Sequence, residues 1–259
     1  MPELPEVERA ARTLDAAVRG KTMTNLRVLH PSLARQLPAG RIAALRGRTI
    51  ERIERRGKHQ LLHLDGGIVL HAHFRMTGDW SIGRLEEPEE RFARAVLELS
   101  DGTRVSLLDS RALATLTVHL PGEAPLPQLG PEPFDATFSA EWLRQAFERR
   151  RGAIKPSLLD QRVVAGLGNI YAAEALWLAR ISPRAIAARL GPARRARLVR
   201  AIRDVLRRAP AARYADRDGA VRWRVYDREG KPCRRCGAPI ARIVQGGRST
   251  YFCPRCQRQ

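Results

Sequence analysis

All four cysteines of this 259-residue chain lie in its last 27 positions, as Cys233-x-x-Cys236 and Cys253-x-x-Cys256 with 16 residues between the pairs. Each pair forms a knuckle that presents two thiolates to one tetrahedral ion. The intervening stretch has the length of a hairpin that returns the second pair to the first. Four thiolates close the coordination shell, so the expected cofactor is a single structural Zn(2+) with no open position for chemistry. A tail of about 35 residues cannot hold a fold on apolar burial alone, and the metal supplies that stability. Two disulfides are the alternative pairing. They suit an exported chain, whereas this one opens on Pro-Glu and not on a basic stretch followed by an apolar one. The cluster specifies a structural module of a kind common in nucleic-acid-binding proteins, and no more.

The charge narrows the partner. The formal net charge is +20, which points to a polyanion: nucleic acid first, an anionic membrane surface second. Of the 47 basic residues only Lys21, Lys58, Lys155 and Lys231 are lysines. Arginine forks suit phosphates and base edges. A GC-rich genome explains arginine replacing lysine but not the excess of positive charge. No stretch approaches 18 consecutive apolar residues, so no transmembrane helix is expected.

The hydrophobic pattern divides the chain. Val7, Ala11, Leu14 and Val18 recur at helical spacing and Gly20 follows as a stop, with Pro2 and Pro5 at the helix start where proline is tolerated. Short apolar runs then predict strands at Leu26–Leu29, Leu61–Leu64, Ile68–Leu70, Ala95–Leu99, Val105–Leu108 and Ala114–Val118. They are punctuated by the hairpin signals Asp65-Gly66-Gly67 and Asp101-Gly102. Six or more short strands imply a sandwich or barrel-like domain. Residues 121–133 hold five prolines and read as a linker. Beyond them the pattern turns helical. Leu198, Val199, Ile202, Val205 and Leu206 form a stripe inside 192–209, opposite a face of arginines read chiefly as solvated charge. The expected fold is α+β: residues 1–120 an N-terminal helix with a β-sandwich domain, 121–133 the linker, 134–224 a helical domain, and 225–259 the zinc finger.

Three segments carry a family resemblance over nearly the whole length. Met1-Pro2-Glu3-Leu4-Pro5-Glu6-Val7-Glu8 resembles the opening of the formamidopyrimidine-DNA glycosylase and endonuclease VIII family. Leu158 to Leu176, with Gly166-Leu167-Gly168-Asn169-Ile170-Tyr171 at its centre, is similar to that family's helix–two-turns–helix. The four-cysteine finger, preceded by Val225-Tyr226-Asp227-Arg228-Glu229-Gly230, is the third.

The chemistry at the N-terminus also follows from the residues. Removal of Met1 leaves a secondary amine on Pro2, and an α-amine titrates near about pH 8, so a neutral fraction exists at physiological pH. Such an amine can attack C1′ of a nucleotide, expel the base and form an iminium, which acidifies the adjacent sugar carbon and permits phosphate elimination. An acid must protonate the sugar oxygen or the departing base, and Glu3 is the neighbour for it. The resemblance gives Pro2 and Glu3 these roles. It makes Glu6 a supporting carboxylate, a residue that equally suits the positive end of a helix. Lys58, in Arg55-Arg56-Gly57-Lys58-His59, matches the family's lysine-bearing turn beside the lesion.

The resemblance also implies how DNA is held. His73, Lys155, Asn169 and Arg248 match residues that contact phosphate, with Asn169 also suited to capping the helix that follows. A flipped nucleotide leaves a hole in the stack. Met76 in His73-Phe74-Arg75-Met76-Thr77-Gly78 matches one void filler, its alternative being a core methionine. Asp109-Ser110-Arg111-Ala112-Leu113-Ala114 occupies the second loop and departs from the family: Arg111 is kept, but Ala112 stands for a second arginine and Leu113 for an aromatic wedge. Residues 211–224 are short where oxidised-guanine enzymes carry a longer base-covering loop. The implied partner is damaged double-stranded DNA, bound in a basic cleft by a bacterial, cytoplasmic monomer without a membrane partner. The implied reaction is excision of formamidopyrimidine or 8-oxoguanine with β,δ-elimination. The alternatives are an endonuclease VIII-like preference for oxidised pyrimidines, a non-catalytic damage-binding relative and, more remotely, a zinc-ribbon RNA binder.

Overall fold

The structure, a computed structural model, describes residues 2–209 and 223–258. They group into two compact units, one running to Pro127 and the other starting at Gln128. The boundary falls inside the proline-rich stretch 121–133.

The first unit opens with helix α1 (Leu4–Val18). Its apolar stripe of Leu4, Val7, Ala10, Ala11, Leu14 and Val18 is buried, and Gly20 at φ +78° ends it. Eight strands follow: β1 (Thr22–Val28), β2 (Arg48–Arg56), β3 (His59–Leu64), β4 (Ile68–His73), β5 (Asp79–Arg84), β6 (Ala93–Leu99), β7 (Thr103–Leu108) and β8 (Thr115–His119). Short helices α2 (Pro31–Ala34) and α3 (Ala39–Ala43) lie between β1 and β2. All pairing is antiparallel in the order β5-β7-β6-β1-β2-β3-β4-β8. The β1–β2 junction is narrow, with Thr22 opposite Thr49 and Met23 opposite Arg48, so the sheet folds there into two halves. Leu26, Ala95, Leu97, Val105 and Leu107 from one half share a core with Leu62, Leu70, Ala72, Leu116 and Val118 from the other, closed by Leu14 and Val18 of α1. This is the expected sandwich. Two strands escape the hydrophobic pattern, β2 and β5, because each buries few residues and carries charge or glycine between them.

The second unit holds α4 (Ala140–Phe147), α5 (Ile154–Leu159), α6 (Asn169–Leu178), α7 (Pro192–Arg207) and the hairpin β9 (Ala241–Gln245) and β10 (Arg248–Phe252). Gly246 and Gly247 turn that hairpin at φ +55° and +71°, the two positive angles of a type I′ turn. On α7, Leu198, Val199, Ile202 and Leu206 are buried, and Val205 is half-buried. Its arginine face corrects the solvated reading. Arg203 donates to the carbonyls of Pro133, Asp135 and Phe138, Arg197 to that of Ala179 and Arg195 to that of Leu190. These carbonyls belong to loops and helix ends with no strand partner, and a guanidinium fork satisfies several at once.

Candidate active site and zinc cluster

The start of α1 is a capping box. Glu3 is the N-cap, its backbone N–H donates to Glu6 Oε2 at 2.7 Å, and its carboxylate accepts from the backbone N–H of Glu6. Both carboxylates are buried, Glu3 at 1% exposure. The arrangement satisfies helix-end donors and sets two acidic side chains at the positive end of the helix. Pro2 and Glu6 line a pocket of about 220 Å³ with Arg9, Phe74, Thr77, Gly78, Asp79 and Ser110. Arg9 and Asp79 pair across it at 3.5 Å. Glu6 therefore serves the helix end and also lines the pocket.

Lys58 sits in the two-residue turn between β2 and β3. Gly57 takes φ +60° there, and Lys58 is not among the residues with positive φ, the pattern of a type II′ turn with glycine first. Arg55 ties this turn to the helix: its Nε donates to Glu8 on α1 and its Nη1 to the carbonyl of Gly57 at 3.2 Å. Burial works to raise the Glu8 carboxyl, but hydrogen bonds and charge from Arg55 and Arg12 outweigh it and hold Glu8 below the usual range. The Lys58 turn is thus bound to the element that carries Pro2 and Glu3.

The two loops expected to fill the void are joined. Gly78 closes the first by donating to the carbonyl of Phe74 at 3.0 Å, and a Cβ there would lie 2.7 Å from Phe74 backbone atoms. Met76 is half-buried in this turn and outside the hydrophobic core, which removes the core-methionine reading. In the second loop the buried Asp109 carboxylate accepts from the backbone N–H groups of Arg111 at 3.1 Å, Leu113 at 2.6 Å and Ala114 at 2.6 Å, and from the Thr77 hydroxyl. Burial opposes ionisation of Asp109, yet these donors hold its carboxyl below the ordinary range. Thr77 links one loop to the other. Ala112 is held at φ +51°, and Arg111 and Leu113 project outward, Leu113 at 44% exposure. His73 ends β4 with Nδ1 accepting the Arg75 N–H at 3.0 Å. Asp109 organises the second loop and went unmarked by sequence reasoning. Its signal is an aspartate at the end of a strand, followed within five residues by the backbone donors it collects.

In the second unit the expected phosphate contacts separate. Arg248 is exposed at the hairpin tip. Lys155 is 1% exposed, and its ammonium donates to Asn169 Oδ1 at 2.5 Å, Thr250 Oγ1 at 2.7 Å and the Ser249 carbonyl at 3.1 Å. Asn169 also donates from Nδ2 to Ser249 O at 3.1 Å. Its capping reading is corrected: the N-cap of α6 is Gly168, Asn169 is already helical, and its side chain bridges to the hairpin. Three acceptors meet the three Lys155 donors, which makes the ammonium an internal tie between α5, α6 and β10.

Glu174 of α6 is a further buried group whose role the sequence left unmarked. Its carboxylate accepts the N–H groups of Arg224 at 3.0 Å, Val225 at 2.8 Å and Tyr226 at 3.0 Å, fixing the strand of chain that enters the cysteine region. The expected short loop over 211–224 lies, up to residue 222, outside the described residues.

The ligand atoms of Cys233, Cys236, Cys253 and Cys256 all lie within 4.8 Å of one another, with Cys236 and Cys253 sulfurs 3.5 Å apart. Tetrahedral zinc at about 2.3 Å from sulfur places its ligands about 3.8 Å apart, so the cluster fits one structural zinc ion. Trp177 of α6 donates from Nε1 to Cys233 Sγ at 3.4 Å, and Arg235 stacks on the Trp177 ring at 4.0 Å. Burial and the neighbouring thiols push Cys253 up to about 12. Four crowded thiolates need a cation, and a divalent ion supplies it.

Three family models cover the chain: the formamidopyrimidine-DNA glycosylase N-terminal domain over residues 1–116, its H2TH domain over 129–215, and the zinc finger found in FPG and IleRS over 230–259. The chain belongs to the formamidopyrimidine-DNA glycosylase family. It is 44% identical over 279 residues to a formamidopyrimidine-DNA glycosylase of Heliobacterium modesticaldum, covering 100% of both. It is 40% identical over 274 residues to that of Pelotomaculum thermopropionicum, covering 100% of this chain and 99% of the relative. Among solved structures, MutM in complex with DNA containing carbocyclic 8-oxo-G matches with a TM-score of 0.90 at 32% identity over 100% of both chains. A Lactococcus lactis FPG mutant in complex with DNA containing Fapy-dG matches equally, with a TM-score of 0.90 at 32% identity over 100% of both. Among the described residues no helix is long and apolar enough to cross a membrane.

Proposed function

We propose that this protein excises oxidised purines of the formamidopyrimidine and 8-oxoguanine type from duplex DNA and then cleaves the resulting abasic site. The observation that carries the reading is Pro2 on the pocket wall, held by the Glu3–Glu6 capping box of a family member. With Met1 removed, the Pro2 nitrogen bonds to C1′ as the glycosidic bond breaks, and Glu3 supplies the proton that the sugar oxygen or departing base requires. The iminium acidifies C2′. Loss of that proton expels the 3′-phosphate, and a second elimination expels the 5′-phosphate. Lys58 and His73 contact phosphate beside this centre, Arg248 and the N-terminus of α6 at Asn169 are phosphate contacts of the second unit, and Arg111, Leu113 and Met76 fill the vacated stack. Lys155 acts through Asn169 as a positioning residue, because its own donors are engaged. The relatives are bacterial, and a DNA substrate fits a location in the bacterial cytoplasm, at the nucleoid.

The short 211–224 segment of the sequence suggests the endonuclease VIII-like alternative, and Ala112 and the aliphatic Leu113 leave the preferred base open. Incision of matched duplexes bearing 8-oxoguanine, formamidopyrimidine, an oxidised pyrimidine or an abasic site separates the readings. Both purine lesions should be cut faster than the pyrimidine. Faster pyrimidine excision favours the alternative, and binding without incision of any duplex leaves a damage-binding protein.

A further inference from the structure

Five of the chain's six histidines share one face of the sheet. The register pairs His59 with His73, His63 with Val69, His71 with both Leu61 and Thr117, and Val69 with His119. Because side chains alternate along a strand, His59, His63, His71, His73 and His119 project from the face opposite Leu62, Leu70, Ala72, Leu116 and Val118, which form the core. All five are half-buried.

Four of them form a continuous line. The His73 ring meets His59 edge-on at 4.7 Å. His59 Nδ1 lies 2.8 Å from His71 Nε2, His71 Nδ1 lies 3.4 Å from Thr117 Oγ1, and Thr117 Oγ1 lies 3.0 Å from His119 Nε2. Lys58 and Arg75 flank the His59–His73 end, and Arg56 stands opposite His59 in the register. At the other end Arg41 holds Glu123 at 2.6 and 2.7 Å near His119. A further acid on this face, Glu54, is bonded to His63 at 2.8 Å. Burial first, then neighbouring cations and histidines, hold His59 and His71 at about 4 and His73 at about 3, so the line is neutral at physiological pH.

A neutral line of this kind has two polarities. In one, His119 Nε2–H donates to Thr117, Thr117 O–H to His71 Nδ1, and His71 Nε2–H to His59 Nδ1, which leaves His59 Nε2–H as a free donor at the Lys58 end. In the other every donor reverses and His59 Nε2 presents a lone pair. His73 is fixed: its Nδ1 accepts from Arg75, so its proton is on Nε2. An anion beside Lys58 selects the first polarity. It also offsets the repulsion from Lys58 and Arg75 that keeps the pair neutral.

We propose that this face is a proton-linked phosphate site, in which a DNA phosphate docked beside Lys58 and His73 draws one proton from solvent into the His59–His71 pair. This rests on the DNA-binding reading above and extends it to groups outside the reacting centre. The proton enters on His119 Nδ1. His119 Nε2 passes its proton to Thr117, whose hydroxyl proton moves to His71 Nδ1, and the pair then shares the added charge across the 2.8 Å N–H···N contact. Only N–H and O–H bonds change, and the new positive charge faces the phosphate. A charge-assisted bond of this kind is roughly twice as strong as a neutral one.

The test is calorimetric titration of the zinc-loaded full chain with a duplex bearing a tetrahydrofuran abasic analogue, in two buffers of different ionisation enthalpy. Wild type takes up as much as one proton per duplex, and its affinity rises by up to about tenfold for each pH unit lowered between about pH 8 and pH 6. His59→Gln and His71→Gln each abolish the uptake and flatten the pH dependence, with affinity near pH 8 little changed. Binding with no proton uptake, or uptake unchanged in both variants, overturns this inference alone. Absence of binding by wild type overturns the DNA-binding reading itself.

Discussion

The first turn of α1 and the cysteine cluster both crowd ionisable groups, and they relieve the crowding differently. Glu3, Glu6 and Glu8 are met by the polypeptide itself, through backbone N–H groups of the capping box and the guanidinium of Arg55. The four thiols have Trp177 and a few backbone donors but need a divalent cation to ionise together. One region is preorganised by its own chain, the other by a metal. Reactive groups in the first can be tuned side chain by side chain, whereas the second behaves as a unit.

The largest test of that contrast is metal removal. Chelation withdraws binding energy that in zinc-finger peptides amounts to about 10–16 kcal/mol. Hydrogen exchange should show loss of protection across residues 225–258 while α1 and the sandwich strands stay protected. Equal loss in both units would break the comparison. Next is Glu3→Gln, which keeps a side-chain acceptor for the capping box but removes the proposed acid. Base excision should fall by about 10²–10⁴-fold with the melting temperature little changed. Loss of folding with activity in proportion would make Glu3 structural only. Glu174→Ala strands three backbone N–H groups and should cost about 3 kcal/mol, read as a lower denaturant midpoint of the second unit. The smallest effect is expected at Glu6→Gln, since glutamine also serves the third position of a capping box. It should change stability by less than about 0.5 kcal/mol, and Glu6→Ala should cost about 1 kcal/mol.

The histidine face adds a pH test of the first unit. The folded state holds His59 and His71 at about 4 and His73 at about 3, below the unfolded value of about 6.5. Between these limits the unfolded chain binds more protons, so stability is full above about pH 6.5 and declines as the pH falls toward 4. Thermal denaturation across that window should show the decline, with a shallower slope in His59→Gln.

What was legible in the sequence was local. The cysteine spacing, the Gly and Asp-Gly turns and the α1 stripe each depend on residues a few positions apart, and six strands followed from short apolar runs. Strand β2 was hidden because Ile50 and Ile53 are its only apolar positions among charges. The roles of Lys155 and Asn169 depend on Ser249 and Thr250, 80 to 95 residues away, so no local pattern separates a tie from a surface contact. The histidine face was illegible for the same reason, since only strand register brings residues 59, 71 and 119 together. At the active site, the family motif named Pro2 and Glu3, and the capping box and pocket supply the physical setting.

The central claim is that the Pro2 nitrogen forms the bond to DNA. Borohydride reduction of the zinc-loaded protein with an abasic-site duplex, followed by proteolysis and mass spectrometry of the adduct, locates that bond directly. The expected result is a single DNA-bearing peptide that begins at Pro2 with the modification on its α-nitrogen, and no adduct with Pro2→Thr under the same conditions. An adduct on Lys58 or another lysine in the wild-type chain, or an undiminished adduct with Pro2→Thr, would contradict it.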